Sequence, residues 1–550
     1  MLFSGLGSIP LMQPDEGRNA EVAREMAATN SWLVPTLEGH AYLDKPAAYF
    51  AAVAVSLHLF GANEWGARLP SATCGLLILL LVYAFARRCY DEPTALLSVI
   101  VVASSPMVFA FSRIVIMDIA LAVCTIAAIL AAFVAEEGDA PDRRWYTAGA
   151  VAVGCGMLVK GPVGALVPAV VLGVFFWVDG RKQALRRVFA PRNILIVALL
   201  FVPWFAGLCR AHPEFLHYGL VEETFKRFFT PAFNRGQPFW YFGWVLLAAI
   251  LPWTVLFVPM AVAAGAARKR LSSADRLFVV WTIVVVLFFS MSRTKQPGYI
   301  LSAAVTAAVL VGRGLGYAWR HSDGRAARLV ARGSLALSGF AVAAAAGIGL
   351  AVRRGAVSGA SLAAMTTEKR SIVTMWPTIV IVLIAIALVA AAAGMRRSAG
   401  LAVVAFALAP LAMVTVMLPA FQGFAGARSA KTLAASLASL PAGSEIACLD
   451  GYPAGLSFYL GRTLTMISET AEPLRSNFIV YWLRQQPVRP ETIVAPKDRD
   501  RWLASRETPV TIVAPDSSHA DLENWLGSRA PLRAAPNGWW VAAVPPSGAR

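Results

Sequence analysis

Two short polar motifs near the start of the chain carry the residues best suited to chemistry. Residues 13–18 read QPDEGR and include Asp15, and residues 42–46 read YLDKP and include Lys45. A carboxylate such as Asp15 can act as a general acid or base or bind a divalent metal. The cations of the two motifs, Arg18 and Lys45, can bind a phosphate. Asp15 also fits a purely structural role, as the N-cap of a helix with acids in its first turn.

A carboxylate and a lysine stand at the ends of two otherwise apolar segments. Asp118 begins one segment and Lys160 ends another. Charges at a membrane boundary are rare because they are costly, and they are usually functional or paired. Arg113, one turn before Asp118, offers a simple structural partner, and Lys160 could reach the interface as a snorkelling lysine. The sequence leaves these alternatives open.

Two further loops place charges beside aromatic side chains. These loops fit an interfacial aromatic belt or a solvated helix face as well as a binding surface. The charged and aromatic residues concerned are His217, Tyr218, Glu222, Glu223, Lys226 and Arg227, then the run QPFWY at 237–241, then Arg293, Lys295 and Tyr299.

The composition indicates what kind of scaffold positions these groups. Of 550 residues, 57% are hydrophobic and only 15% are charged, whereas soluble chains carry about 25% charged residues. The chain is therefore a membrane protein, and disorder, a fibre or a disulfide-stapled scaffold is excluded. Six cysteines and six histidines show no metal spacing, so a redox or zinc site is not expected.

The apolar runs predict about twelve membrane-spanning helices, because a span needs about 20 mostly apolar residues. The net charge is +17, and the Lys and Arg residues lie mostly in alternate loops. By the positive-inside rule those loops are cytoplasmic. The positive charge is thus explained without a nucleic-acid partner. The predicted spans lie near 66–86, 94–112, 116–135, 145–160, 162–178, 193–209, 239–264, 275–291, 298–318, 330–352, 372–394 and 399–420.

The chain divides into three parts. Residues 1–65 form a first outer loop with two amphipathic stretches, 14–26 and 46–60, that are expected to lie flat as interfacial helices over a cavity. Residues 66–425 form the helical bundle, and 426–550 form a small soluble α/β domain on the outer side. Its predicted strands are 444–449, 477–482, 510–513 and 539–544, and its predicted helices are 429–439 and 518–528.

The charged groups gather at the outer ends of the apolar helices. Cations at a membrane surface suit a phosphate or pyrophosphate, and carboxylates beside them suit acid/base work or a divalent metal. The residues thus indicate a lipid-linked, phosphorylated substrate.

At these residues the chain resembles a known family. It is similar to the bacterial aminoarabinose transferases that modify lipid A, and more broadly to the protein O-mannosyltransferase-like GT-C superfamily. The resemblance covers about the first 300 residues in register and rests on the runs QPDEGRNAEVAREM, SWLVPTLEGHAYLDKP, LFGANEWGARLPSA, MLVKGPVGALVPAV, HYGLVEETFKRF, QPFWYF, LPW and FFSMSRTKQPGYIL.

The resemblance implies an all-α multispan GT-C bundle and an inverting glycosyltransferase that takes a sugar from an undecaprenyl-phosphate carrier. The favoured version moves 4-amino-4-deoxy-L-arabinose to lipid A phosphate at the periplasmic face of the bacterial inner membrane. Asp15 then matches the main catalytic carboxylate and Asp118 the second acidic position. The residues matched to the cavity and the carrier phosphate are Arg18, Tyr42, Lys45, Lys160, Arg227, Lys295 and Tyr299.

Three departures from the family pattern concern metal use and the chain start. Asp44 stands where relatives usually have Glu, and Thr224 stands where they commonly have His. If those two positions bind a metal in relatives, the substitutions argue against the same use here. Asp44 is the candidate ligand for a divalent metal, and no other cofactor is expected. Relatives also have a complete spanning helix before the first motif, whereas about a dozen residues precede it here. Two explanations stay open: the given start is an internal methionine, or the first family helix is missing.

Two enzymatic and two non-enzymatic alternatives remain. Besides the favoured transferase, a GT-C relative could transfer a neutral hexose or pentose to another glycan, lipid or protein. From other classes, the chain could transport lipid-linked saccharides or act as a scaffold. Transport would favour charges and broken helices near the bilayer centre, and here the charges gather at the outer surface.

Overall fold

The structure is a computed structural model that describes residues 2–226, 236–266, 271–322, 324–355, 373–438, 440 and 443–546. All twelve segments predicted to span the membrane form helices or helix pairs. Within the described residues, seven helices are long and apolar enough to cross a bilayer, and a bent pair gives an eighth. The chain is a multi-pass membrane protein.

The long apolar helices make up the bundle. Their shared core contains large side chains such as Trp253, Trp281 and Phe406, and the rings of Trp253 and Phe406 stack at 5.2 Å. Their bounds are Glu64–Cys89, Lys182–Ala211, Ser273–Met291, Pro297–Arg320, Arg325–Arg353, Trp376–Met395 and Ala399–Ala427.

Shorter helices fill the rest of the bundle, and prolines explain two of the breaks. The predicted span 94–112 divides before Pro106, and the span 239–264 bends by 118° around Pro252. Proline lacks the amide hydrogen that a continuous helix needs. The shorter helices are Glu92–Ala103, Pro106–Phe111, Asp118–Val134, Arg143–Lys160, Val163–Val178, Tyr241–Ala249 and Thr254–Ala266.

The first outer loop forms two helices, as the amphipathic pattern predicted. We call them the first outer helix, Asp15–Thr29, and the second outer helix, Ala48–Phe60. Between them, β1 (Thr36–Leu37) and β2 (His40–Ala41) pair in antiparallel register. The two helices share an apolar core, in which Val22 and Met26 pack with Phe50.

The segment after the last spanning helix carries a six-stranded sheet. Its strands are β3 (Glu445–Leu449), β4 (Thr465–Ile467), β5 (Ile493–Val494), β6 (Val510–Pro515), β7 (Leu532–Ala535) and β8 (Trp539–Val544). The spatial order is β5-β4-β3-β6-β8-β7, parallel from β5 to β6 and antiparallel at β8 and β7. We call residues 428–546 the C-terminal sheet region.

Three of the four predicted strands and both predicted helices are confirmed in this region. The helices are Lys431–Leu437 and His519–Leu526. The predicted strand 477–482 is wrong, because residues Asn477–Leu483 form a helix. Its β-branched and aromatic residues suggested a strand, but Ser476 caps the helix by accepting a hydrogen bond from the Ile479 amide at 3.2 Å. Local propensity gave way to capping and packing.

The C-terminal sheet region packs directly on the first outer helix. A Cβ on Gly17 would lie 2.5 Å from the carbonyl oxygen of Ala454, so only glycine allows this approach. The amide of Leu11 donates to the Tyr459 hydroxyl at 2.8 Å, and the amide of Gln13 donates to the Arg428 carbonyl at 2.8 Å. The motif around Asp15 is therefore held between the bundle and the sheet.

Candidate functional site

The first polar motif places a carboxylate and a guanidinium side by side. Asp15 is the first residue of its helix, and Pro14 occupies the N-cap position, so the structural alternative in which Asp15 is the N-cap is wrong. One turn later, Arg18 donates from Nη2 to Asp15 Oδ1 at 2.7 Å. The Asp15 side chain is 46% exposed and Arg18 only 13%, so the acid is open to a ligand while the arginine is held.

Tyr42 completes this group. The Arg18 guanidinium lies over its ring at 5.8 Å from the centroid. Burial raises the pKa of the Tyr42 phenol well above its ordinary value, so Tyr42 stays neutral and can donate a hydrogen bond. Burial lowers the pKa of the Arg18 guanidinium; Tyr42, Asp15 and Asp44 outweigh that cost and leave the pKa raised, so Arg18 stays a cation.

Lys45, in the second motif, forms an ion pair with Glu223 and donates to the Asp44 carbonyl at 2.6 Å. Both charged side chains are largely buried, at 16% and 13% exposure. Glu223 stood out in the sequence but without a partner. The only available signal was the acidic pair Glu222-Glu223 beside the aromatic outer loop, and that signal does not identify Lys45.

Asp44 has a structural set of partners. Its Oδ1 accepts from the Tyr218 hydroxyl at 2.6 Å and from the Phe478 amide at 2.9 Å. Its Oδ2 accepts from the Asn477 amide at 3.1 Å. Asp44 thus caps the helix Asn477–Leu483 of the C-terminal sheet region. In the described chain it joins no group of three possible metal ligands, and metal ligation by Asp44 stays a prediction.

The second constellation joins Asp118 and Lys160, which the sequence had left as separate candidates. Lys160 Nζ lies 2.7 Å from Asp118 Oδ1, and both side chains are nearly buried. Lys160 also lies 5.0 Å from the centre of the Tyr299 ring. Asp118 therefore pairs with Lys160, whereas Arg113 donates to the Leu2 carbonyl at 3.0 Å.

Two residues of the first outer helix connect the two constellations. Asn19 donates from Nδ2 to the Val115 carbonyl at 2.8 Å, and Glu16 accepts from the Val115 amide at 3.2 Å. Val115 lies three residues before Asp118. Arg68 holds Glu16 in a buried pair, with Nε to Oε1 at 2.6 Å and Nη2 to Oε2 at 2.8 Å. Arg68 was not among the predicted site residues, since it lies inside an otherwise apolar span.

The remaining predicted cations fall in different places. Lys295 is 7% exposed and donates to the Ser292 carbonyl at 2.5 Å. Burial and, to a smaller extent, Arg293 lower the pKa of its ammonium group. Arg227 lies outside the described residues, so the structure does not bear on its predicted role.

A buried acid cluster lies beside the site. Glu21, Glu25 and Glu38 bring carboxylate oxygens within 4.8 Å of one another. Glu38 accepts hydrogen bonds from the Tyr452 hydroxyl at 2.7 Å, the Leu464 amide at 2.6 Å and the Ser457 hydroxyl. Burial and the neighbouring Glu25 raise the pKa of Glu38 to about 7. This cluster joins the first outer loop to the C-terminal sheet region.

The sequence matches a known family model over part of its length. Residues 44–206 match the family described as dolichyl-phosphate-mannose-protein mannosyltransferase. The chain is 31% identical over 306 residues to the undecaprenyl phosphate-alpha-4-amino-4-deoxy-L-arabinose arabinosyl transferase of Erwinia tasmaniensis, which is 55% of each chain. It is 31% identical over 305 residues to the protein of that name in Aeromonas hydrophila, again 55% of each chain. The aligned part thus spans about half the length of these curated relatives.

The fold comparison extends over nearly the whole chain. The structure matches ArnT from Cupriavidus metallidurans bound to undecaprenyl phosphate with a TM-score of 0.83 and 26% identity, covering 98% of this chain and 95% of that chain. The apo form of the same protein matches with a TM-score of 0.82. The resemblance seen in the sequence is therefore confirmed in sequence and in fold.

Proposed function

We propose that this chain, an ArnT-like protein of the GT-C superfamily, transfers a sugar from an undecaprenyl-phosphate carrier to an acceptor at the outer face of the membrane. The observation that carries the proposal is the fold match over 98% of the chain to a protein solved with undecaprenyl phosphate. Two carboxylate–cation pairs support it, Asp15 with Arg18 and Asp118 with Lys160. The first outer helix links the two pairs through its hydrogen bonds to Val115.

The cations suit the phosphate of the carrier. Lys45 and Lys160 are each held by a carboxylate partner, so their ammonium groups are already positioned when a phosphate arrives. Fixed cations stabilise the charge that develops on the leaving phosphate, and such preorganised charge often lowers an enzyme's barrier more than any other single effect. Lys295 and Tyr299 belong to the same surface in this proposal, and Arg227 is assigned to it from the family resemblance.

The proposed reaction is one displacement at the anomeric carbon. The bond from that carbon to the phosphate oxygen breaks, and the electron pair stays with the departing polyprenyl phosphate. An acceptor oxygen forms the new bond from the opposite face, through an oxocarbenium-like transition state, with inversion. The anionic leaving group needs no proton.

Asp15 takes the position of the reacting-centre carboxylate. If the acceptor is a hydroxyl, Asp15 accepts its proton as the new bond forms. If the acceptor is a phosphate oxygen, it is already anionic and needs orientation rather than a base. The favoured donor sugar is 4-amino-4-deoxy-L-arabinose, and the favoured acceptor is the phosphate of lipid A, at the periplasmic face of the inner membrane.

The test is mass spectrometry of lipid A from cells that lack the gene and carry either the wild-type chain or Asp15→Asn. We expect an added aminopentose with the wild type and its loss with Asp15→Asn at equal protein level. Glu472→Gln is the matched control, because Glu472 is exposed on the C-terminal sheet region and 67% of its side chain is accessible. Lipid A that is unchanged by the wild-type chain would refute this sugar and acceptor and favour another GT-C substrate.

A further inference from the structure

A cleft opens next to Asp15, between the membrane bundle and the C-terminal sheet region. Its volume is about 440 Å³. The start of the first outer helix, the end of the last spanning helix and several loops of the sheet region form its walls. The side chains that matter for its chemistry are Arg18, Arg428, Arg475, Tyr452, Asn537 and Trp539.

Three arginine residues line this one cleft. Arg18 shares its charge with Asp15. Arg428 and Arg475 form no ion pair with any residue that the structure describes, and each side chain reaches solvent. The Arg428 guanidinium lies over the Phe424 ring, 4.5 Å from its centroid, and an aromatic ring does not neutralise its charge. Cations without a carboxylate partner attract an anion. Guanidinium groups bind phosphate in a bidentate manner, which favours that anion over a simple halide.

The backbone conformation of Arg475 is fixed at the wall of the cleft. Arg475 has a φ of 53°, a left-handed conformation that is uncommon for a residue with a long side chain. In that conformation its carbonyl accepts a hydrogen bond from Arg18 Nη1 at 2.7 Å. The buried Nε of Arg18 has no hydrogen-bond partner among the described residues.

The hairpin tip between β7 and β8 also lines the cleft. Asn537 donates to the Gly426 carbonyl at 2.9 Å and to the Ser429 carbonyl at 3.1 Å, which ties the tip to the end of the last spanning helix. Trp539 and Tyr452 add aromatic surface to the same cleft. An anion next to a sugar ring fits such a lining, because the ring can pack on the aromatic faces while the arginines hold the charge.

We propose that this cleft binds the phosphate-bearing headgroup of the acceptor, and that Arg428 and Arg475 are acceptor-binding residues. The inference rests on the proposed transferase function and adds a role for the C-terminal sheet region. The donor phosphate is assigned to Lys45 and Lys160, so the two phosphates occupy separate groups of cations. Arg18 lines the cleft and pairs with Asp15, the carboxylate proposed at the reacting centre, so the cleft adjoins the proposed site of transfer.

The test is acceptor binding to the full chain in nanodiscs, with no donor present. The probes are lipid A with both phosphates, lipid A after enzymatic removal of the phosphates, undecaprenyl phosphate and inorganic phosphate. The variants are Arg428→Ala and Arg475→Asn, the latter because asparagine tolerates the left-handed backbone. Arg529→Ala is the matched control, since Arg529 pairs with Asp500 outside the cleft.

Each of the two variants should weaken binding of phosphorylated lipid A about tenfold, equivalent to about 1.4 kcal/mol. Undecaprenyl phosphate should bind as before, dephosphorylated lipid A should bind weakly to every chain, and Arg529→Ala should behave as the wild type. Arg475→Lys should restore part of the affinity. Unfolding temperatures equal to that of the wild type would show that the variants are folded.

Three outcomes would overturn the inference. The first is unchanged binding of phosphorylated lipid A to both variants, and the second is an equal loss for undecaprenyl phosphate. The third is binding of inorganic phosphate as tight as that of the lipid, which would assign the cleft to the free ion. Because no sugar is transferred in this assay, it is decided independently of the Asp15→Asn test. A chain that transfers no sugar but binds the phosphorylated lipid through Arg428 and Arg475 would contradict the function and leave the binding site standing.

Discussion

Replacing Asp44 with alanine is expected to release the helix Asn477–Leu483 from the first outer loop. The carboxylate of Asp44 is 6% exposed and satisfies the first two amides of that helix together with the Tyr218 hydroxyl. Loss of an N-cap costs about 1 kcal/mol. Loss of the hydrogen bond that the Tyr218 hydroxyl donates to the charged carboxylate adds about 1.5–3 kcal/mol. The total is about 3 kcal/mol, or about a hundredfold in the local opening equilibrium.

Hydrogen exchange, followed by mass spectrometry on the full chain, measures the local opening of this helix. The amides of Asn477 and Phe478 should exchange about a hundredfold faster in Asp44→Ala, because exchange of a protected amide follows the opening equilibrium. Ser476→Ala is the matched control. It removes only the hydrogen bond from the Ile479 amide, so it should accelerate exchange of the same helix by about tenfold or less.

The comparison of Asp44→Ala with Ser476→Ala decides whether Asp44 caps the helix. If Asp44→Ala accelerates exchange no more than Ser476→Ala, then Asp44 does not hold this helix. A second measurement separates capping from metal ligation. The wild-type chain should keep its protection at Asn477 and Phe478 when EDTA is added, and loss of protection that Mg²⁺ or Mn²⁺ restores would make Asp44 a metal ligand instead.

Three further variants test the contacts around the site. Gly17→Ala should destabilise the docking of the C-terminal sheet region by about 2 kcal/mol, because the new Cβ would lie 2.5 Å from the Ala454 carbonyl oxygen; limited proteolysis of that region checks it. Lys160→Met should lower the free energy of unfolding by about 3–5 kcal/mol, since it leaves Asp118 buried without its cation. The double variant Asp118→Asn/Lys160→Met should have an unfolding temperature close to that of the wild type, but it should show no transfer activity. For Glu38, whose folded pKa of about 7 lies above the ordinary 4.5, the fold binds a proton more tightly than the unfolded chain. Its contribution is complete below pH 4.5 and is lost as the pH rises through 7, so the unfolding temperature should fall over that range and Glu38→Gln should flatten the fall.

The glycine prediction and the pH prediction each have a control in the same chain. Gly426→Ala should be neutral, because a Cβ there meets nothing within 4 Å. Glu469→Gln should leave the pH profile unchanged, since that side chain is 63% exposed. Equal proteolysis of the two glycine variants would contradict the close contact proposed at Gly17. A double variant at Asp118 and Lys160 that stays as unstable as Lys160→Met would contradict the cost assigned to an unpaired Asp118. A pH dependence that persists in Glu38→Gln would contradict the assignment of the pH effect to Glu38.

The helical bundle could be predicted because its signal is local. An apolar run of about 20 residues reports a span by length alone, and all twelve predicted segments are helical. The breaks at Pro106 and Pro252 were not predicted as breaks, although proline carries that information. The helix Asn477–Leu483 was mistaken for a strand because two of its caps come from Asp44, which lies 433 residues away along the chain from Asn477.

The site shows the same division between local and distant information. Residue type and position at the ends of apolar segments were enough to single out Asp118 and Lys160, but their pairing depends on how two spans pack. Arg68 was missed because a single arginine inside a span resembles an anchoring charge until its partner Glu16 is seen. Glu223 was seen but not paired, since the Lys45 that it contacts belongs to a different loop.

The contacts of the first outer loop argue that the C-terminal sheet region is part of the site rather than an appendage. Arg18 binds the Arg475 carbonyl, Asp44 caps Asn477, and Glu38 accepts from Tyr452. Three charged residues of the loop thus find partners in the sheet region. If the region were deleted, these groups would lose those partners, and buried polar groups without partners are costly. A truncated chain would therefore lose activity whether or not the region binds an acceptor. Substitution of side chains that line the cleft without supporting the loop, such as Arg428 and Arg475, separates binding of the acceptor from support of Asp15.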